Sequence, residues 1–169
     1  METFETIYEA NFPRVYAFLF RLCKDESLAE ELTQETFFQA FRSFYRFRGD
    51  SELFTWLASI AKHAFFSYMR KNKAQLECIN IDLVTGVLCE DADRGPEESV
   101  QKKMTAERVR TIIRKIPKKY RDVVMLRLYA ELPFSQVAAA LKISENSAKV
   151  IFHRAKKMLT EELKHEHYL

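Results

Sequence analysis

Asn146, Ser147, Lys149, Val150, His153, Arg154 and Lys157 recur every one to three positions along residues 145–159. At 3.6 residues per turn they form a cationic, hydrogen-bonding front. Ala148, Ile151, Ala155, Met158 and Leu159 form an apolar back. Arg and Lys pair with guanine edges and phosphates, and Asn pairs with adenine, so this front has the chemistry to read base edges in a major groove. Upstream, Phe134, Val137, Ala138 and Leu141 repeat at i, i+3, i+4 and i+7 and predict a short partner helix. Ile143 plugs the turn between them, and Ser144 is placed to accept a free backbone N–H as a cap. Residues 132–158 are therefore expected to form a helix-turn-helix.

The rest of the chain is also expected to be helical. Ile7, Phe12, Val15, Leu19 and Leu22 make one stripe ending near Lys24. Ser27 is read as the cap of a second helix, with apolar Leu28, Leu32, Phe37, Ala40, Phe41 and Phe44. A polar loop, Arg46 to Glu52, precedes a third long helix from Phe54 to the basic cluster Arg70-Lys71-Asn72-Lys73. Residues 74–101 hold two of the three glycines, Pro96 and no clear period, which reads as a linker. Short strands or turns have room around Ile79–Leu88. Val109, Ile112, Ile113 and Ile116 then mark a helix stopped by Pro117, and Tyr120, Val123, Val124, Arg127 and Leu128 another. The fold class is all-α. Two small helical domains, residues 1–73 and 104–169, are joined by a flexible acidic linker, residues 74–103.

The net charge of +3 is unevenly spread. Residues 104–169 carry 14 Lys/Arg against 7 Asp/Glu, and residues 74–101 carry one Arg against seven acids. The basic excess coincides with the helix-turn-helix, as phosphate contact requires. The linker's acidity offers a contact with that basic half. Cys23, Cys78 and Cys89 are widely spaced, with no C-x-x-C and no nearby His at zinc-ligand spacing, so reduced thiols are expected. His165 and His167 read as solvated tail. No run approaches the roughly 18 apolar residues of a membrane span, and the acidic start lacks a secretory signal's basic residues. A cytoplasmic protein is expected, with no metal, cofactor or small-molecule substrate. The four histidines are scattered and no Gly-rich phosphate loop occurs, so no catalytic residue is assigned and no enzyme is expected.

Three segments carry a family resemblance. They are Glu30-Glu-Leu-Thr-Gln-Glu-Thr-Phe-Phe-Gln-Ala-Phe41, then Phe47-Arg-Gly-Asp50, then Thr55-Trp-Leu-Ala-Ser-Ile-Ala-Lys-His63 with Tyr68-Met-Arg70. In order and spacing they resemble region 2 of the sigma-70 family. The helix-turn-helix with Ile116-Pro-Lys-Lys-Tyr-Arg-Asp-Val-Val124 resembles region 4 of that family. Two regions with a short linker resemble the extracytoplasmic-function (ECF) class of alternative sigma factors. Such a factor joins core RNA polymerase and directs initiation at chosen promoters.

By that resemblance, Glu31, Gln34, Glu35 and Phe38 dock on a basic coiled coil of the polymerase β′ clamp. On spacing alone the same acids would be a solvated face. Among Phe37, Phe38 and Phe41, at least one must be core. Phe47, Arg48, Phe54, Trp56, Lys62, His63, Phe66 and Arg70 are implied to hold the melted minus-ten element. There, aromatic faces stack on bases for roughly 1–3 kcal/mol each and cations track the backbone. Phe47 and Phe54, placed in the loop, are the first choices as platforms, and Trp56 stays open between half-buried core and platform. Ser144, Asn146, Ser147, Lys149, Val150, His153, Arg154 and Lys157 are implied to reach the minus-thirty-five element, with Lys118, Lys119 and Arg121 on phosphates. Region 4 implies a contact with the polymerase β flap. The class implies control by an anti-sigma factor, commonly one that holds the sigma factor at the membrane.

Three positions depart from the family pattern. His63 stands where Asn is frequent, Ser67 where Asp is frequent, and Lys142 where the turn often has Gly. Lys142 must then take a positive φ or the turn must differ slightly, at a cost of about 1 kcal/mol. Pro133 replaces a frequent hydroxyl cap, which a helix start tolerates. A stand-alone helix-turn-helix regulator is the alternative, and it leaves the N-terminal motifs unexplained.

Overall fold

The computed structural model describes residues 3–72, Val84 and residues 111–165, and every regular element among them is helical. The expected linker, its suggested strands and its acidic contact, Cys78 and Cys89, and His167 lie outside the described residues, apart from Val84, which is helical and buried.

Helix α1 spans Phe4–Cys23, α2 Glu26–Ser43 and α3 Leu53–Lys71, and the three pack pairwise against one another. Thr3 caps α1 by accepting the Thr6 N–H. Asp25, not Ser27, caps α2: its carboxylate accepts the Leu28 N–H at 3.0 Å. Both residue types cap well, but only Asp25 stands outside the first turn with extended backbone. Val15, Phe18, Leu19, Leu22, Leu57 and Phe65 lie at the centre with no exposed surface. Each such Leu or Phe contributes roughly 1.5–3 kcal/mol through burial. Phe37 is the core member of its aromatic group, whereas Phe38 and Phe41 are 57% and 63% exposed.

In the second half, residues 111–115 are helical and Pro117 precedes helix α4, Lys118–Val124. The chain continues through a wide π turn, Met125–Tyr129, in which the Ala130 N–H donates to the Met125 carbonyl. Helix α5, Phe134–Leu141, follows Pro133, and α6 runs over Glu145–His165. Lys142 joins them with φ 55°, so of the two alternatives at this turn the chain takes the left-handed backbone. Ser144 caps α6 by accepting the Ser147 N–H at 3.0 Å. Helix α6 packs on α4 and α5 through Ala148, Ala155 and Leu159.

The two halves are not separate. Helix α3 packs on α5 and on the π turn, α1 also meets that turn, and the buried apolar residues form one connected cluster.

Candidate polymerase-docking and DNA-binding surfaces

On α2, Thr33 and Thr36 turn inward and bond back to the Ala29 and Leu32 carbonyls, which leaves Glu31, Gln34, Glu35 and Phe38 exposed on the other side. These four line one open groove of about 640 Å³ that α2 shares with Ala64, Tyr68 and Lys71 of α3. Gln39 donates to the Glu35 carboxylate at 2.7 Å, and the Arg42 guanidinium lies 5.7 Å from the centre of the Phe38 ring. The groove thus presents two carboxylates, an amide and an uncovered aromatic ring. It suits a cationic helix.

The loop after α2 is organised by rings. Phe44, Phe47 and Trp56 form a triangle with centroids 5.2–6.2 Å apart. Trp56 and Phe47 are half-buried, and Arg48 beside them is exposed. Gly49, with φ 76°, makes the turn with open space where a Cβ would stand. Phe54 is a correction. It lies in the first turn of α3, 3% exposed, with the Arg14 guanidinium 3.7 Å from its ring centre. A base has no open face to stack on there. The helix begins at Leu53, which draws Phe54 out of the loop and into the core.

Lys62 departs further from expectation. It is 2% exposed, and its ammonium lies 3.1 Å from the Asp122 carboxylate of α4, itself buried. Burial pushes the Lys62 pKa below its ordinary value, while Asp122 opposes that shift. One turn on, Phe66 is half-buried beneath the Arg121 guanidinium, 4.5 Å from the ring centre. Arg121, expected on phosphate, is turned inward, and its Nε is buried without a hydrogen-bond partner. His63 and Arg70 keep exposed surface. The His63 pKa is lowered, first by desolvation and then by the Lys62 and Lys118 ammoniums. In this arrangement the strip from Lys62 to Phe66 therefore faces the second half of the chain.

Further contacts join the halves. Arg21 Nε donates to the Tyr129 carbonyl at 2.7 Å at the end of the π turn. The Gln136 side-chain oxygen of α5 accepts from the Thr55 hydroxyl at 3.0 Å and from the Glu52 N–H at 3.3 Å. None of these contacts was anticipated from sequence. A signal existed: Lys62 falls between apolar Ile60-Ala61 and Ala64-Phe65, and Asp122 directly precedes the apolar run Val123 to Leu126.

The α6 front is arranged as expected. Ser144, Asn146, Ser147, Lys149, Val150, His153, Arg154 and Lys157 are all exposed. Lys149 pairs with Glu145 at 3.3 Å and Lys157 with Glu161 at 3.8 Å, both one turn apart on the surface. Such pairs contribute about 0.3–0.5 kcal/mol and yield readily to a phosphate or base. Among the described residues no cluster of His, Cys, Asp or Glu could hold a metal, and no helix is long and apolar enough to cross a membrane.

Comparison with known proteins agrees with this layout. The sigma-70 region 2 model matches residues 7–75, and the sigma-70 region 4 model matches residues 106–159. The ECF RNA polymerase sigma factor SigM of Bacillus subtilis is 32% identical over 157 residues, covering 93% of each chain. The ECF RNA polymerase sigma factor SigX of the same organism is 29% identical over 164 residues, covering 96% of this chain and 84% of that one. Among solved structures, the sigma factor RpoE of Bartonella quintana, in complex with the anti-sigma factor NepR, gives a TM-score of 0.53 at 20% identity. That match covers 95% of this chain and 96% of the other. CnrH, in complex with the cytosolic domain of CnrY, gives 0.54 at 18% identity over 95% and 87%. Both likenesses are of fold. The regions matched, their order and the identity to SigM over nearly the whole length settle the family: this chain is a member of the sigma-70 family, of the ECF class.

Proposed function

We propose that this chain is an alternative sigma factor that binds core RNA polymerase and directs promoter-specific initiation. One observation carries the reading. Within the two matched sigma-70 regions, the same chain exposes an acidic and aromatic groove on α2 and a cationic, hydrogen-bonding front on α6. The α2 groove, with Glu31, Gln34, Glu35 and Phe38, meets the clamp coiled coil, where opposite charge sets orientation and speeds association. The α6 front reads the minus-thirty-five element, and its half of the chain meets the β flap. Phe47, Arg48, Trp56, Lys62, His63, Phe66 and Arg70 serve the minus-ten element once they are uncovered. Bond formation belongs to the polymerase, and the factor supplies recognition and strand capture. Its working place is the cytoplasm. Since RpoE is described in complex with the anti-sigma factor NepR, this chain too is held inactive by an anti-sigma factor.

Run-off transcription tests the reading, with purified chain and core polymerase on a library of promoter fragments. Initiation from templates sharing two spaced motifs is expected. Glu31→Lys with Glu35→Lys should lower affinity for core enzyme by at least about tenfold, since two attractions become repulsions. Its circular dichroism should be unchanged, because both side chains are exposed. Duplex binding by the chain alone, with no initiation, would instead identify a stand-alone helix-turn-helix regulator.

A further inference from the structure

Arg14 of α1 and Glu52, the residue before α3, line one cavity of about 230 Å³ and form no ion pair with each other. The Arg14 guanidinium lies 3.7 Å from the centre of the Phe54 ring, and no described residue accepts a hydrogen bond from it. Held on the ring, it keeps its N–H fork free at the edge. Asn11 donates through Nδ2 to the Ile7 carbonyl at 3.0 Å, which leaves its side-chain oxygen for another donor. The Glu52 carboxylate makes no cap hydrogen bond with α3. Ile7 and Leu53 supply apolar walls. Arg14 and Glu52 are both exposed, so the cavity is open in the free chain. We infer that this cavity is a guanine pocket for one everted base of the melted strand, with Arg14 as its specificity-determining residue. Its use on the strand rests on the sigma-factor reading above, whereas its fit to the base rests on the cavity alone.

The lining calls for a ligand of mixed polarity. A phosphate that pairs with Arg14 meets the Glu52 carboxylate, and a simple cation that pairs with Glu52 meets the guanidinium. A nucleobase edge carries acceptors and donors side by side. Guanine matches both walls. Its O6 and N7 accept the two-pronged Arg fork, while its N1–H and N2 amino groups donate to a carboxylate or amide oxygen. Thymine offers Arg no adjacent pair of acceptors, and adenine sets an N6 donor beside N7, which a guanidinium cannot accept. Cytosine presents Glu52 with a single amino group where guanine presents two donor groups. In a melted strand the base is already unpaired, so turning it into the cavity costs little. Position supports the assignment, because Glu52 ends the loop that carries Phe47 and Arg48. Arg14 covers the Phe54 face expected from sequence to stack on a base, and presents a hydrogen-bonding edge in its place.

Mononucleotides titrated into the free full-length chain, read by nitrogen–proton correlation NMR, test the cavity alone. Deoxyguanosine monophosphate at low millimolar concentration should shift the Arg14 Nε–H and Asn11 Nδ2 signals, whereas thymidine monophosphate should leave them in place. Arg14→Lys keeps the charge but loses the fork, and should abolish guanine binding. Fluorescent single strands bound by the chain on core polymerase test the use of the cavity. Thymidine strands bearing one guanine, placed at each position in turn, should include one that binds about tenfold more tightly than its abasic counterpart. Arg14→Lys should lose that factor. Hypoxanthine, which lacks the N2 amino group, should bind several-fold more weakly than guanine in the wild-type chain and equally in Glu52→Ala. Equal shifts from both mononucleotides, or none, would overturn the pocket. Guanine binding that survives in Arg14→Lys would overturn the role of Arg14. Guanine binding by the free chain, with no guanine preference on the polymerase, would overturn its use on the strand. No strand capture on the polymerase, with the mononucleotide shift intact, would sink the functional reading and leave the pocket standing. Strand capture with silent mononucleotides would do the reverse.

Discussion

Two faces of this chain have the residues to hold DNA, and they stand in opposite states. The α6 front is exposed, and two of its lysines, Lys149 and Lys157, make surface pairs with Glu145 and Glu161. The α3 strip is folded against the other half, with Lys62 buried on Asp122 and Phe66 beneath Arg121. Duplex recognition by α6 needs only a rigid helix at the surface. Capture of an unpaired strand needs aromatic rings and cations with no competing partner. Such a surface is sticky toward anything of matching chemistry, and here the matching surface is supplied in cis. The difference shows that exposure, rather than residue type, separates the two faces.

The largest expected effect comes from making the closure permanent. Lys62→Met with Asp122→Leu replaces the buried pair by apolar side chains of similar size. Such replacements are neutral or stabilising by about 1–4 kcal/mol. The urea unfolding midpoint of the closed chain should rise, while run-off transcription should collapse. Binding of duplex through α6 should not change. A fall in the midpoint would mean that the α3–α4 contact is held by something other than shape and burial, and the contrast between the two faces would then fail.

The two faces also differ in how far sequence reveals them. The α6 front was legible because it is local: one period of 3.6 sorts Ala148, Ala155 and Leu159 inward and Asn146, Lys149, His153 and Arg154 outward. The Ser144 cap and the positive φ of Lys142 were legible for the same reason. Helix α3 was legible as a helix, but not in what covers it. Lys62 lies four residues after Ala58 and three before Phe65, on the buried stripe, and its partner is sixty residues away. Pairing across that distance leaves no periodic trace. The helix start at Leu53 moves Phe54 from the expected loop into the core, and Asp25, two residues before the expected Ser27, is the residue that caps α2. Function was legible from the ordered motifs, since each needs only its local element to be recognised.

A second prediction sharpens the account of the open face. Lys149 lies within the first two turns of α6 and Lys157 two turns further on, so under the proposed function the first reads a base edge and the second contacts the backbone. Lys149→Ala should reduce discrimination at one minus-thirty-five base pair by about 1–3 kcal/mol. Lys157→Ala should leave sequence preference intact and reduce the salt slope of duplex binding by about one. Fluorescence anisotropy on wild-type and mismatched duplexes between low and moderate salt separates these outcomes. Identical profiles for both variants would mean that the front acts as undifferentiated positive charge.

The smallest effect expected is a pH dependence confined to the covered face. His63 stands at the rim of the contact, facing Lys62 and Arg70 on α3 and Lys118 and Asp122 on α4. Desolvation first, then the Lys62 and Lys118 ammoniums, lower its pKa, with Asp122 opposing. Opening removes the α4 neighbours and returns the imidazole toward its ordinary 6.5. Near that pH the open chain therefore binds more protons than the closed one. By linkage, closure is favoured fully above pH 6.5 and weakens as pH falls through it. Small-angle X-ray scattering from pH 7.5 to 5.5 should register a gradual rise in the radius of gyration, and His63→Gln should abolish it. A rise that survives in that variant would assign the response to groups outside the contact, and the closed strip would then differ from the α6 front in geometry alone.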